Sequence, residues 1–356
     1  MEKINKLQTF IKGSHEAILI HSADNRRYFT DFPSSDGYLV ITKEEAVLFA
    51  DSRYIEAAQK MACCPARLVT RVNVEIKDYL REKHILKVFT ERNHLTVSMA
   101  DFFKTVFLPC TVTPSKRLEK KIAEIRMVKT RKEIQNIKAA QRIAEEAFRN
   151  VLGFIKPGVT EKQIALELDF YMLSHGAEAL SFETIAVTGK KTSMPHGVPD
   201  NTVVKAGDFV TMDFGAVYNG YHSDMTRTVA VGQVSEEQQK IYGIVLRAQE
   251  KALSMLKAGV PCNEADAAAR DIISQAGYGD YFGHSTGHGV GVEIHELPNL
   301  SPKSDNVLEA GNVVTVEPGI YLPDKFGVRI EDMAVITEDG FENLTQSPKE
   351  LIVIEV

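Results

Sequence analysis

The chain has 356 residues, a formal charge of −6, 44% hydrophobic and 25% charged residues, which is enough for about two domains with full cores. With 42 basic against 48 acidic side chains, a sequence-independent grip on nucleic-acid phosphates is excluded, and no apolar run nears the ~20 residues of a membrane span. Met1 leads into no apolar leader segment, and Cys63, Cys64, Cys110 and Cys262 are too scattered for a disulfide scaffold; together these point to a reducing, cytoplasmic setting.

The first third alternates helical and strand patterns. Met1 to Lys12 is amphipathic, and Ala17 to Ile20 reads as a strand. Tyr38–Thr42 and Ala46–Ala50 read as a hairpin. Arg53–Ala62 and Val74–Lys83 read as helices, and Thr96–Ser98 as another strand. The pattern predicts a small α/β domain over residues 1–126. A long helix then begins with the capping pair Thr130 and Glu133. Its apolar positions recur at helical spacing from Ile134 to Leu152, and Lys156-Pro157-Gly158 stops it. Further capping pairs stand at Thr160/Gln163 and Ser235/Gln238. Strand-like runs follow at Phe209–Tyr218, Tyr221–Val231, Val313–Val316, Val328–Thr337 and Leu351–Glu355. Residues 127–356 therefore read as an α+β domain.

That domain contains an internal repeat. Ala206-Gly207-Asp208-Phe209-Val210-Thr211-Met212-Asp213-Phe214-Gly215 aligns on Ala310-Gly311-Asn312-Val313-Val314-Thr315-Val316-Glu317-Pro318-Gly319. Asp213 and Glu317 match, and each segment returns with a second carboxylate, Asp224 or Glu331. This predicts a pseudo-twofold domain with two hairpins facing one site. Asn219-Gly220 is a type I′ turn signal. Pairing Tyr218 with Tyr221 sets Thr226 opposite Asp213, and puts Asp213 and Asp224 on one face as diagonal neighbours ~7–8 Å apart. Thr226 is then expected to support Asp213. Carboxylates crowded on a half-buried strand need a cation. An Arg or Lys is one answer. A pair of divalent metals is the other, and an oxygen-rich set with a neutral imidazole suits Mn, Co, Fe or Zn.

Four histidines fall in Gly- and Pro-rich segments beside this repeat: His196, His284, His288 and His295. They are read as site residues, and His222 as exposed or supporting. His15, His21, His84, His94 and His175 are read as structural. Gly283-His284-Ser285-Thr286-Gly287 fits G-x-S-x-G, but it follows a turn instead of the strand a nucleophile elbow needs.

The set Asp213, Asp224, His288, Glu317 and Glu331, with Gly283-His284-Ser285-Thr286-Gly287-His288-Gly289-Val290-Gly291 and Val316-Glu317-Pro318-Gly319, resembles the pita-bread metallopeptidases. Within them it is most similar to the Xaa-Pro peptidases, prolidase and aminopeptidase P. Asn25 to Thr30 and Asp51 to Tyr54 are similar to the N-terminal domain of that group. The resemblance implies a pita-bread (creatinase/aminopeptidase) catalytic domain behind a smaller creatinase-type domain. It implies two divalent ions, Mn first among the candidates. Asp213 would hold one and His288 the other with Glu317, while Asp224 and Glu331 bridge both. Glu317 would also shuttle a proton to the leaving nitrogen. His284 and His295 would steady the scissile carbonyl and the tetrahedral intermediate. His196 would hold substrate, with Arg329 and Tyr321 in support. The implied reaction is hydrolysis of the bond between an N-terminal residue and proline in short peptides. Prolidase is the first reading and aminopeptidase P the alternative. Some dipeptidase members carry an Arg shortly after the His-Glu pair, where this chain has Asn299. A homodimer is implied by resemblance alone. A non-catalytic binding module or a metal-free hydrolase on the same fold would lack part of the ligand set.

Overall fold

The apolar runs of the first third line up as one six-stranded mixed sheet. Its strand order is Ala66–Leu68, Ala46–Ala50, Tyr38–Ile41, Glu16–Ile20, Lys87–Thr90 and Thr111–Pro114. The hairpin Tyr38–Ile41/Ala46–Ala50 forms with Tyr38 opposite Phe49. Helices Ile55–Met61 and Val72–Glu82 agree with their sequence patterns to within a few residues. The run at Thr96 does not make a strand. Thr96 Oγ1 accepts a hydrogen bond from Met99 N at 3.2 Å and caps a helix, Val97–Val106. The N-cap chemistry of a Thr outweighs the β-branched pattern behind it.

The computed structural model describes all 356 residues and divides into two units, Met1–Ile125 and Arg126–Val356. In the first unit, Glu91 is fully buried. It accepts hydrogen bonds from the backbone N–H groups of His21 (2.7 Å) and Ser22 (2.9 Å), from Ser22 Oγ and from Asn25 Nδ2. Burial opposes its charge, but His21, Ser22 and Asn25 outweigh burial and hold its pKa at about 2. Glu91→Ala removes the acceptor that these buried donors share, and is expected to cost about 3–5 kcal/mol in urea unfolding.

The second unit is built twice over. Helices Arg131–Leu152 and Glu161–Ser174 pack on the sheet Val353–Ile354, Met225–Val231, Phe209–Phe214, Ile185–Thr188. The core there joins Phe148, Leu168 and Met172 to Met212, Phe214 and Val229. Helices Glu236–Met255 and Cys262–Gln275 then pack on the sheet Glu296–Leu300, Gly287–Gly289, Val313–Val316, Asp332–Ile336, Phe341–Asn343. Its core joins Val245, Ala252 and Ala269 to Val314, Val316 and Ala334. Each half is a helix pair followed by a carboxylate-bearing hairpin, so the duplication legible in the sequence is also a duplication of architecture. Three of these four helices open with the capping boxes their sequences predict, at Thr130/Glu133, Thr160/Gln163 and Ser235/Gln238. Each cap contributes about 1 kcal/mol.

Candidate metal centre and active-site cleft

Both hairpins are interrupted, and Asp224, Glu317 and Glu331 stand in the gaps, while Asp213 stays in its strand. In the first, the predicted long strands are broken into Phe209–Phe214 and Ala216–Tyr218, returning as Tyr221–His222 and Met225–Val231. The register is the one the Asn219-Gly220 turn dictates, with Tyr218 opposite Tyr221 and Thr226 opposite Asp213. The break comes at Gly215, where an added Cβ would fall 1.9 Å from the Ser223 carbonyl oxygen. Asp224 lies in the matching gap of the return strand. In the second hairpin, the pairs Val316↔Asp332 and Gly319↔Arg329 bracket a gap that contains Glu317 and Glu331. Opening a ladder frees side chains to converge on one point.

Asp224, His288 and Glu331 each offer a ligand atom within 4.8 Å of the others. His288 Nε2 lies 3.5 Å from Asp224 Oδ2 and 3.5 Å from Glu317 Oε1. His288 Nδ1 lies 3.1 Å from the Gly289 carbonyl oxygen. Only a protonated nitrogen bonds a carbonyl, so Nδ1 carries the hydrogen and the Nε2 lone pair faces the carboxylates. Burial lowers the His288 pKa to about 4, which keeps the ring neutral. Burial and the neighbouring carboxylates raise Asp224 and Glu331 well above the ordinary carboxylate range. Burial, with Asp213 adding to it, raises Glu317 to about 8. Asp213 Oδ1 and Glu331 Oε1 are buried without a hydrogen-bond partner. Buried unpaired acceptors on mutually repelling carboxylates, beside an imidazole lone pair, fit hard divalent cations.

Arg329 is the only Lys or Arg lining the cleft, and all three of its guanidinium nitrogens donate to the protein. It donates to Asp213 Oδ2 at 2.5 Å, Thr226 Oγ1 at 3.0 Å, Tyr321 Oη at 3.0 Å and the Pro195 carbonyl at 3.2 Å. Thr226 in turn donates to Glu331 Oε2 at 2.8 Å. The register expectation for Thr226 thus needs correcting. It faces Asp213 across the ladder, but its hydroxyl serves Glu331, and Arg329 serves Asp213. Thr226→Val removes a bond that orients Glu331 and is expected to weaken metal affinity about 10–100-fold, as read by calorimetric titration with Mn.

His284 is also committed. Its Nδ1 lies 2.8 Å from the Ser285 carbonyl and therefore carries the hydrogen. Its Nε2, 2.9 Å from Tyr321 Oη, accepts the phenolic hydrogen. Burial lowers its pKa to about 4, so a neutral His284 has no N–H left for a ligand. By contrast, His295 stacks edge-on against His288 with ring centroids 4.5 Å apart, and its ring nitrogens make no hydrogen bond to the protein.

A cavity of about 640 Å³ opens over this cluster. Asp213, Asp224, His196, His284, His288, His295, Glu317, Arg329 and Glu331 all line it. Tyr321 and Thr226 lie behind the wall. His222 is half-buried, with its N–H on the Gly291 carbonyl. Ser285 lines the cavity, but the segment before it is a 3₁₀ turn at Gly279–Tyr281, not the strand of a nucleophile elbow. Sequence reasoning missed Phe182, Thr184, Val198, Ile294 and Ser301, which also line the cleft. These are ordinary loop residues with no motif, and only the tertiary fold gathers them.

Comparison with known proteins gives this geometry a family. Residues 135–338 match metallopeptidase family M24, and residues 3–128 match the creatinase/prolidase N-terminal domain. The chain belongs to this metallopeptidase family. It is 38% identical to the Xaa-Pro dipeptidase of Pyrococcus furiosus, over 99% of each chain. Among solved structures, it is similar to the Xaa-Pro dipeptidase from Bacillus anthracis, at 43% identity and TM-score 0.95 over 99% of each chain. It is also similar to the X-Pro aminopeptidase from Thermotoga maritima, at 36% identity and TM-score 0.92, covering 98% of this chain and 100% of that one.

Proposed function

We propose that this chain is a dinuclear metal-dependent Xaa-Pro dipeptidase, a prolidase. The observation that carries the reading is the convergence of four carboxylates and one neutral imidazole on the floor of a single cleft. Support for the substrate class comes from relatives named Xaa-Pro dipeptidase at 38% and 43% identity over essentially the whole chain. The similarly covered X-Pro aminopeptidase makes aminopeptidase P the second reading. Asp213, Asp224, His288, Glu317 and Glu331 would hold two divalent ions, with Mn as the first candidate. Bound there, the ions would supply Lewis-acid polarisation and an activated water.

The remaining roles follow from this chain's own groups. The bond before proline has no N–H, so its nitrogen must gain a proton to leave. Glu317, which lines the cleft with an oxygen 3.5 Å from His288 Nε2, is placed to hold that proton. A free donor at the scissile carbonyl falls to His295, because His284 has given its only N–H to Ser285. His284 instead fixes Tyr321, which with Arg329 sets the orientation of Asp213. His196, at the cleft mouth on the loop tied to Arg329 through Pro195, would hold substrate. We further propose domains at 1–126 and 127–356, a homodimer, which light scattering would test, and a cytoplasmic site of action. No helix is long and apolar enough to cross a membrane.

The test is kcat/KM for Ala-Pro against Ala-Pro-Ala, using Mn-loaded protein and a chelated control. Prolidase is expected to prefer the dipeptide strongly and to lose activity on chelation. Equal or faster tripeptide cleavage would move the assignment to aminopeptidase P. Undiminished activity after exhaustive chelation would reject the metal reading.

A further inference from the structure

We propose that Arg126 and Lys129 are positioning residues for His295, acting through the buried carboxylate of Glu296. The inference rests on the reading of His295 as the donor at the scissile carbonyl. His295 meets the His288 ring edge-on and has no hydrogen bond of its own to fix its direction. Its placement therefore depends on its backbone, and that backbone is held at both ends of Glu293–Glu296. The Glu296 side chain is 4% exposed. It accepts hydrogen bonds from Arg126 Nε at 3.2 Å, Lys129 Nζ at 3.2 Å and the Glu293 N–H at 3.0 Å. The same guanidinium reaches Glu293 Oε2 at 2.8 Å. Between these two anchored glutamates stand only Ile294 and His295, and both line the cleft.

The loop closes directly on this hub. A Cβ at Gly291 would fall 2.4 Å from Glu296 Oε2, so the turn before His295 is moulded to the carboxylate. Lys129 is 1% exposed at its side chain, and burial lowers its pKa. Ionising such groups in a protein interior carries a desolvation cost that apolar packing would avoid. Stability alone gives little reason for two cations and two carboxylates here. A rigid, directional anchor for one imidazole gives a specific one. No atom of this cluster lines the cleft, so Arg126, Lys129 and Glu296 act on the reaction only through the loop.

A double-mutant cycle on the Mn-loaded enzyme tests this, with Ala-Pro as substrate. The variants are Lys129→Met and Glu296→Gln, each alone and combined with His295→Ala. Bound Mn per chain is measured throughout. Glu296→Gln keeps the volume of the side chain but turns one of its two acceptor oxygens into a donor, so it loosens the hub without a cavity and serves if the lysine variant does not fold. Each single variant is expected to lower kcat/KM about 10²-fold, the size of effect a ~1 Å misplacement has, with metal content unchanged. In the His295→Ala background the same substitutions are expected to cause no further loss. Losses that multiply in full with that of His295→Ala, or cluster variants as active as wild type, would overturn the positioning role alone. An unimpaired His295→Ala enzyme would reject the reading of His295, and the inference with it.

Discussion

Asp224→Asn is expected to abolish tight metal uptake and lower kcat/KM for Ala-Pro by about 10³-fold or more, roughly 4 kcal/mol of transition-state stabilisation. Asp224 stands in the gap of the first hairpin, with an oxygen 3.5 Å from His288 Nε2 and within ligand reach of Glu331. The amide keeps the volume but loses the charge that would offset a divalent ion. The variant should nonetheless fold. In the metal-free protein Asp224 is pushed towards its neutral form by burial and by Glu331, so removing its charge relieves repulsion. The combination of a more stable metal-free protein and a failed enzyme separates a metal ligand from a structural acid. Inductively coupled plasma analysis with steady-state kinetics checks it. Retained metal and activity would remove Asp224 from the site.

Metal loading is expected to stabilise the protein strongly and to reverse its response to pH. In the metal-free state the folded pKa values of Asp224, Glu331 and Glu317 are raised, Glu317 to about 8. These three carboxylates then carry more protons in the folded state than in the unfolded state up to about pH 8, while the lowered pKa values of His284 and His288 act in the opposite sense only below the ordinary imidazole value of 6.5. Stability therefore falls as pH rises from about 6.5 to about 8. Metals take the place of those protons, so binding releases protons and its affinity increases with pH. At a free metal concentration of about 1,000 Kd, one site adds about 4 kcal/mol. Thermal melts at pH 6.5 and pH 8, with and without Mn, should show opposite pH trends. Titration calorimetry in two buffers of different ionisation enthalpy should register proton release. Parallel pH trends with and without metal would mean that these carboxylates do not carry the ion.

Much of the site is written into local sequence. A two-residue Asn-Gly turn fixes the register of the first hairpin, and a ten-residue internal match marks its counterpart. The capping boxes are equally local, because side chain and backbone three residues apart settle them. What escapes local reading depends on partners distant in sequence. Thr226 lies opposite Asp213 yet bonds Glu331, 105 residues away, because the strand Met225–Val231 lies beside Arg329–Glu331. The roles of His284 and His295 separate only once Ser285 and Tyr321 are seen to occupy both nitrogens of His284. The breaks in the long strands arise where Gly215 lets one strand crowd the next. No motif joins Arg126, Lys129 and Glu296 along the chain, and only tertiary packing buries them together. Thr96 misleads in the other direction, since its neighbours favour a strand while its hydroxyl caps a helix.

The most direct test is a titration of metal-free protein with Mn, following Ala-Pro hydrolysis against metal bound per chain. A dinuclear site built on these five residues predicts no activity without metal and full activity only as the second equivalent binds. Full hydrolysis by the metal-free chain, or no Ala-Pro cleavage with two ions bound, would contradict it.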